Sequence, residues 1–181
     1  MTAQDRDFAG VLHAAGPDPE RAQALRLYGQ FVGDWDAEII AHGQDGSRHQ
    51  TNGEIHFGWV LQGRAIQDVW MIPRLAERRE APVFPIAGNW YGTTIRVYDP
   101  TTAAWHIYWI DPATNSFRQQ IGRAQGADIV QEGTTESGIL SRWSFTKITP
   151  NSFHWLGEGK ASGASDWRLV VEVLARRRQS G

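Results

Sequence analysis

Large apolar residues alternate with polar ones through most of the chain, and turn signals interrupt the alternation about every 8–12 residues. One early stretch departs from this rhythm. Ala24, Leu25, Tyr28, Phe31 and Val32 recur at helical spacing. Asp18-Pro19-Glu20 ahead of them predicts a helix start, with Asp18 as N-cap, Pro19 at the first helical position and Glu20 at the positive end of the dipole. Gly33 ends the helix, and Trp35–Ile39 opens the strands. Further strands are predicted over Gln50–Trp59, Ala65–Ile72, Trp90–Tyr98, Ala104–Ile110, Phe117–Ala124, Ile129–Thr134, Ile139–Ile148, Phe153–Glu158 and Trp167–Ala175. Pro73 to Asn89, with three prolines and the charged run Arg74–Glu80, breaks the rhythm. It reads either as a lid at a cavity mouth or as a solvated insertion. The pattern predicts an all-β protein: a closed antiparallel meander barrel of about ten strands with an N-terminal helix. Residues 1–17 are expected to be a flexible lead-in, and residues 18–178 a single barrel domain.

Residue parity bears on which face is inside. Odd positions carry Ile55, Phe57, Trp59, Tyr91, Trp105, Ile107, Trp109, Trp143, Phe145, Trp155 and Val173, whereas even positions carry Glu54, His56, Arg96, Arg118, Arg142 and Arg168. The simple reading turns the odd face inward. The competing one is a partly polar lumen, because Trp70, Tyr98 and Tyr108 hold even positions. The strand around Tyr108 is bulky on both faces, which points to a homodimer contact or a patch under the long loop.

Composition narrows the classes. At 181 residues with net charge −2, the chain fits one domain with a real core and carries no mark of a nucleic-acid surface. Absence of cysteine excludes disulfide and thiolate chemistry. No apolar run approaches a membrane span, and Met1–Val11 has no apolar signal core, so a cytoplasmic protein with no membrane partner is the default expectation. The unusual quantity is tryptophan, with nine copies, which provides both core volume and flat ligand-facing surfaces.

The helix, the Gly33-x-Trp35 step, the strand meander and an Arg in the last strand together resemble the lipocalin-like calycin superfamily. That resemblance implies that Trp35 closes one barrel end and that an Arg, here Arg176, packs on it. The blocks His56–Arg64 and Tyr91–Pro100 further resemble bacterial proteins of the DUF1579 type. The resemblance covers roughly Leu27 to Arg177 and implies a fold but no settled activity. The glycine-rich motif of the superfamily's haem-binding nitrobindins is not found. His154 is left as a candidate axial ligand only.

No zinc spacing, phosphate-cradling loop or nucleophile elbow is present, so no metal and no cofactor is expected. His56 and Asp68 form the best catalytic candidate. If Leu61-Gln62-Gly63 is a three-residue loop, the two face each other and Asp68 would ready His56 as a general base, with Arg96 as oxyanion stabiliser. If the loop is Gln62-Gly63 alone, Phe57 faces Asp68 and the pair is broken. Arg96, Arg118 and Arg142 are carboxylate holders if inside and solvated charges if outside. The indoles Trp59, Trp105, Trp109, Trp143 and Trp155, with Phe57, Tyr91 and Gln119, are expected to line a cavity for a small hydrophobic or aromatic molecule; Trp167 is expected as a core plug. Three functions follow: binding such a molecule, a cofactor-independent isomerase, cyclase or lyase, or a filled-barrel interaction protein.

Overall fold

The computed structural model describes residues 7–78, 89–135 and 137–179. In chain order it holds α1 (Phe8–Leu12), β1 (His13–Ala14), α2 (Ala22–Gly29), β2 (Gly33–His42), β3 (Arg48–Val60), β4 (Ala65–Ile72), β5 (Trp90–Asp99), β6 (Ala104–Asp111), β7 (Ser116–Gln125), β8 (Asp128–Thr134), β9 (Leu140–Thr149), β10 (Ser152–Lys160) and β11 (Arg168–Arg177). Each strand from β2 to β11 pairs antiparallel with the next, and β11 pairs back onto β2, so ten strands close a barrel. This is the architecture expected from the alternation. The short β1 extends the sheet beside the end of β3, with His13 opposite Val60. Residues 79–88 of the predicted excursion lie outside the described residues; its start forms one 3-10 turn, Leu75–Glu77.

Within the lead-in, residues 8–14 form a short helix and a two-residue strand. α1 is capped by Asp7, whose side chain accepts from the Gly10 N–H at 2.7 Å. The main helix starts at Ala22 rather than after Asp18. Asp18 instead shapes a turn, accepting from the Glu20 N–H at 3.1 Å and from Arg64 Nε at 2.9 Å. A partner distant in sequence claims the carboxylate that local pattern assigned to the helix.

α2 plugs one end of the barrel. Its Leu25 and Tyr28 are fully buried, as is Phe31 just beyond it. Phe31 stacks on Phe145 at 4.7 Å, and Tyr28 meets Trp105 edge-on at 4.8 Å. Trp35 is wholly buried and donates from Nε1 to the Phe31 carbonyl at 2.7 Å. Arg177 lies over its indole at 4.1 Å and donates to the carbonyls of Val32, Gln30 and Pro150 at 2.7, 2.7 and 2.8 Å. The Arg that packs on Trp35 is therefore Arg177, not Arg176. Val173, Ala175 and Arg177 share the inward face of β11, and Arg176 faces away. Gly33 has φ +127° there, and a Cβ would fall 2.6 Å from Arg177 Nη1.

Loop length decides which parity points inward. Directly paired residues on antiparallel strands share a face. Four residues separate Val60 from its partner Ala65, and four separate Asp99 from Ala104. An even loop pairs odd positions with even ones, so parity switches at these hairpins. It switches again between β6 and β7 and between β7 and β8, where Trp109 pairs with Arg118 and Gly122 with Gln131. The interior is consequently odd on most strands but even on β4, β5 and β7, which turns Asp68, Trp70, Thr94, Arg96 and Gln120 inward. The simple odd-inside reading fails on those three strands.

Candidate functional site

Above the plugged end the barrel holds a cavity of about 440 Å³. Its lining reaches the loop residues Gln44, Thr114, Thr135 and Ala161, all at the end opposite α2, so the cavity opens there. Five indoles from β4, β5, β6, β9 and β10 line it as a mutually packed cluster, with Trp90 also meeting Trp155 edge-on at 6.2 Å. Centroids run Trp70–Trp90 6.3 Å, Trp90–Trp109 6.5 Å, Trp109–Trp143 6.1 Å, Trp143–Trp155 5.5 Å and Trp155–Trp70 5.3 Å. Tilted and edge-on contacts at such separations are favourable for aromatic quadrupoles and hold each ring in place. Gly92, paired opposite Trp70, leaves room for this packing: a Cβ there would sit 2.5 Å from the Trp109 ring.

The floor is polar but neutralised. Arg96 and Asp68 form an ion pair with side chains 1% and 0% exposed. Asp68 also accepts from the Thr94 N–H at 2.9 Å. Arg96 Nε donates to Gln131 Oε1 at 3.4 Å, Gln131 Nε2 to Gln120 Oε1 at 3.4 Å, and Gln120 Nε2 to Ser141 Oγ at 3.2 Å. The guanidinium also lies over the rings of Tyr28, Phe57 and Phe145 at 5.1, 5.6 and 5.9 Å. Burial pushes the Tyr28 phenol well above its ordinary pKa, so it stays neutral beneath the pair. Two buried polar atoms on the lining residues have no hydrogen-bond partner, Trp70 Nε1 and Asp111 Oδ2.

These contacts sort the residues expected from sequence. Trp109, Trp143, Trp155 and Arg96 line the cavity. Phe57 and Trp105 are buried in the plug below it, and Trp59 lies against α2 at Gly29. Tyr91 is 45% exposed and Gln119 is exposed, both on the outward parity of their strands. His56 is not beside Asp68. Phe57 pairs with Asp68, the register of the two-residue alternative, so His56 faces outward and meets Asp34 Oδ1 at 2.6 Å. The expected general-base pair is thus split across the sheet. Arg142 is outside, over Trp167 at 4.0 Å and 2.8 Å from Glu132, so Trp167 is no core plug. His154 also faces outward, 2.8 Å from Glu172. Trp70 and Trp90, which sequence reasoning left out of the cavity lining, had one legible signal: bulky indoles at even positions of otherwise alternating strands.

No family model matches the chain, and no curated protein is a significant match to it. Solved structures do resemble it. The S-type phycobiliprotein lyase CpeS from Guillardia theta superposes with a TM-score of 0.59 at 11% identity, over 91% of this chain and 100% of that one. Rv2717c from M. tuberculosis gives a TM-score of 0.52 at 11% identity, over 90% of this chain and 99% of the other. Both likenesses concern the fold, and they fit a lipocalin-like barrel. No helix among the described residues is long and apolar enough to cross a membrane.

Proposed function

We propose that the protein binds a small, flat, hydrophobic or aromatic molecule within the barrel. An open cavity of about 440 Å³ lined by a cluster of five indoles carries this reading. That volume falls in the ordinary range for ligand pockets, about 300–1,000 Å³. A barrel whose purpose is only to be filled would bring side chains together where this one leaves space. The similar structure named a phycobiliprotein lyase leaves room for chemistry on a bound molecule. No histidine lines the cavity among the described residues, however, so a His-based mechanism has no base there.

The test is a titration with N-phenyl-1-naphthylamine, a neutral flat probe, followed by tryptophan quenching. Stoichiometric binding is expected. Trp109→Ala and Trp143→Ala are expected to weaken it about tenfold or more, since each removes a face of the wall. If neither this probe nor pyrene binds below about millimolar, a regime worth only ~4 kcal/mol, the reading falls.

A further inference from the structure

Three arginines line the cavity, Arg96, Arg118 and Arg168, and they differ in what occupies them. Arg96 is spent on Asp68 and Gln131. The other two stand near the open end with no carboxylate partner among the described residues. Arg118 Nη1 donates to its neighbour's carbonyl, Phe117 O, at 2.6 Å, and Arg168 Nη1 to His42 O at 3.4 Å. A guanidinium has five N–H donors, so most of each fork remains available.

Both side chains reach the lumen through local irregularity. The even β6–β7 register pairs Arg118 with Trp109 and places it on the indole side of the sheet. On β11 the register slips by one residue between Gly157–Val171 and Glu158–Leu169, so Val170 is a bulge. Below the bulge the inward positions are odd; beyond it Arg168 pairs with Gly159, which itself pairs with inward Ser141. Without the extra residue Arg168 would point to solvent. Bulges commonly re-aim a side chain next to a binding site.

Two carboxylates also line the cavity, and among the described residues neither forms an ion pair with these arginines. Asp111 Oδ1 accepts from the N–H groups of Ala113, Thr114 and Tyr91 at 2.8, 3.3 and 3.4 Å. Glu158 lies opposite Arg142 in the strand register, but the Arg142 guanidinium is paired with Glu132. Of the three lining arginines only Arg96 is ion-paired, which leaves the guanidinium forks of Arg118 and Arg168 open to a ligand among the described residues.

We propose that the occupant of the cavity carries an acidic group, carboxylate or sulfonate in type, and that Arg118 and Arg168 hold it at the barrel mouth while its flat body rests against the indoles. This inference rests on the ligand-binding reading above. Planar guanidinium forks match such oxyanions geometrically, and hydrogen bonds to ionised acceptors are the stronger class.

The experiment compares 1-anilinonaphthalene-8-sulfonate with N-phenyl-1-naphthylamine, which has the same aromatic body without the sulfonate. The native protein is expected to bind the sulfonate about tenfold or more tightly than the neutral probe. In the double variant Arg118→Gln, Arg168→Gln that preference is expected to vanish, with the affinity for the neutral probe within about twofold of native. The neutral probe thereby reports that the cavity is intact. If both probes bind native protein equally, or if the double variant keeps the preference, the acid-group inference is overturned and the ligand-binding reading stands. If neither probe binds, both are overturned.

Discussion

Arg177 and Arg96 are both arginines over aromatic rings, but they face different electrostatic problems. Arg177 is a cap: stacked on Trp35, it satisfies three carbonyls at the junction of α2, β2 and the β9–β10 turn. A lysine cannot reproduce that planar fork. Arg177→Lys is expected to cost about 1–3 kcal/mol in urea unfolding, and Trp35→Ala about 3–5 kcal/mol. Arg96 is a buried charge whose partner matters more than its own packing. Asp68→Leu leaves that charge uncompensated and should cost about 3–5 kcal/mol. The double variant Asp68→Leu, Arg96→Leu should be less destabilised than Asp68→Leu alone; a double worse than the single would refute the ion-pair account. On the outer face, Glu172 sits between His42 and His154 at 2.9 and 2.8 Å. Burial acts to raise its pKa, but the hydrogen bonds from both histidines outweigh it and hold the carboxyl below its ordinary value of 4.5. A carboxyl depressed in the folded state adds stability above its unfolded pKa and loses it as pH falls through the folded one. Urea unfolding from about pH 6 down to about pH 3 should therefore show a shallower acid-side loss in Glu172→Gln than in the native protein.

Among the elements, hairpins carried the information that alternation could not. The sequence showed where strands start and stop, because Gly, Pro, Asn and Asp mark the turns through their backbone preferences. It did not show how many turn residues stay unpaired, and one residue more or fewer flips a whole strand. His56 and Asp68 illustrate this, since both loop lengths were compatible with Leu61-Gln62-Gly63 and only one pairs the two side chains. In the structure Leu61, Gln62 and Gly63 all have positive φ, at 54°, 59° and 75°. Gly63 is pressed against the lead-in backbone, where a Cβ would lie 2.2 Å from Gly16 O. Gly63→Ala should destabilise by more than about 1 kcal/mol, because neither the φ nor the space suits a side chain. An unchanged urea midpoint would contradict that packing. The same logic explains why Arg177 replaces Arg176 on Trp35 and why Arg168 enters the lumen: register, not residue type, assigns the face.

For the molecule as a whole, the barrel divides into a plug packed by α2 and an open cavity walled by indoles. Occupancy should couple to folding. At a neutral probe concentration of about 100 Kd, mass action adds about 2.7 kcal/mol, which raises Tm by roughly 2–4 °C per kcal/mol for a chain of this size. Thermal unfolding with and without N-phenyl-1-naphthylamine checks this, and Gly92→Ala should shrink the shift, because its methyl displaces Trp109. The outer faces of β5, β6 and β7 leave Tyr91, Val97, Tyr108, Ile110 and Phe117 at 39–46% exposure, so the double-faced bulk noticed in the sequence belongs to the surface there. By itself, the sequence determined the all-β class, the approximate strand set, the helix-to-strand step at Trp35 and the aromatic character of the interior. These depend on local periodicity and on side-chain chemistry, which a linear chain displays. Only the tertiary structure decided which indoles meet, that Asp68 neutralises Arg96 rather than readying His56, and which arginines at the mouth have no carboxylate partner among the described residues. Those are facts of register and closure, set by the sum of every loop and bulge around the ring, and no single stretch of sequence contains that sum.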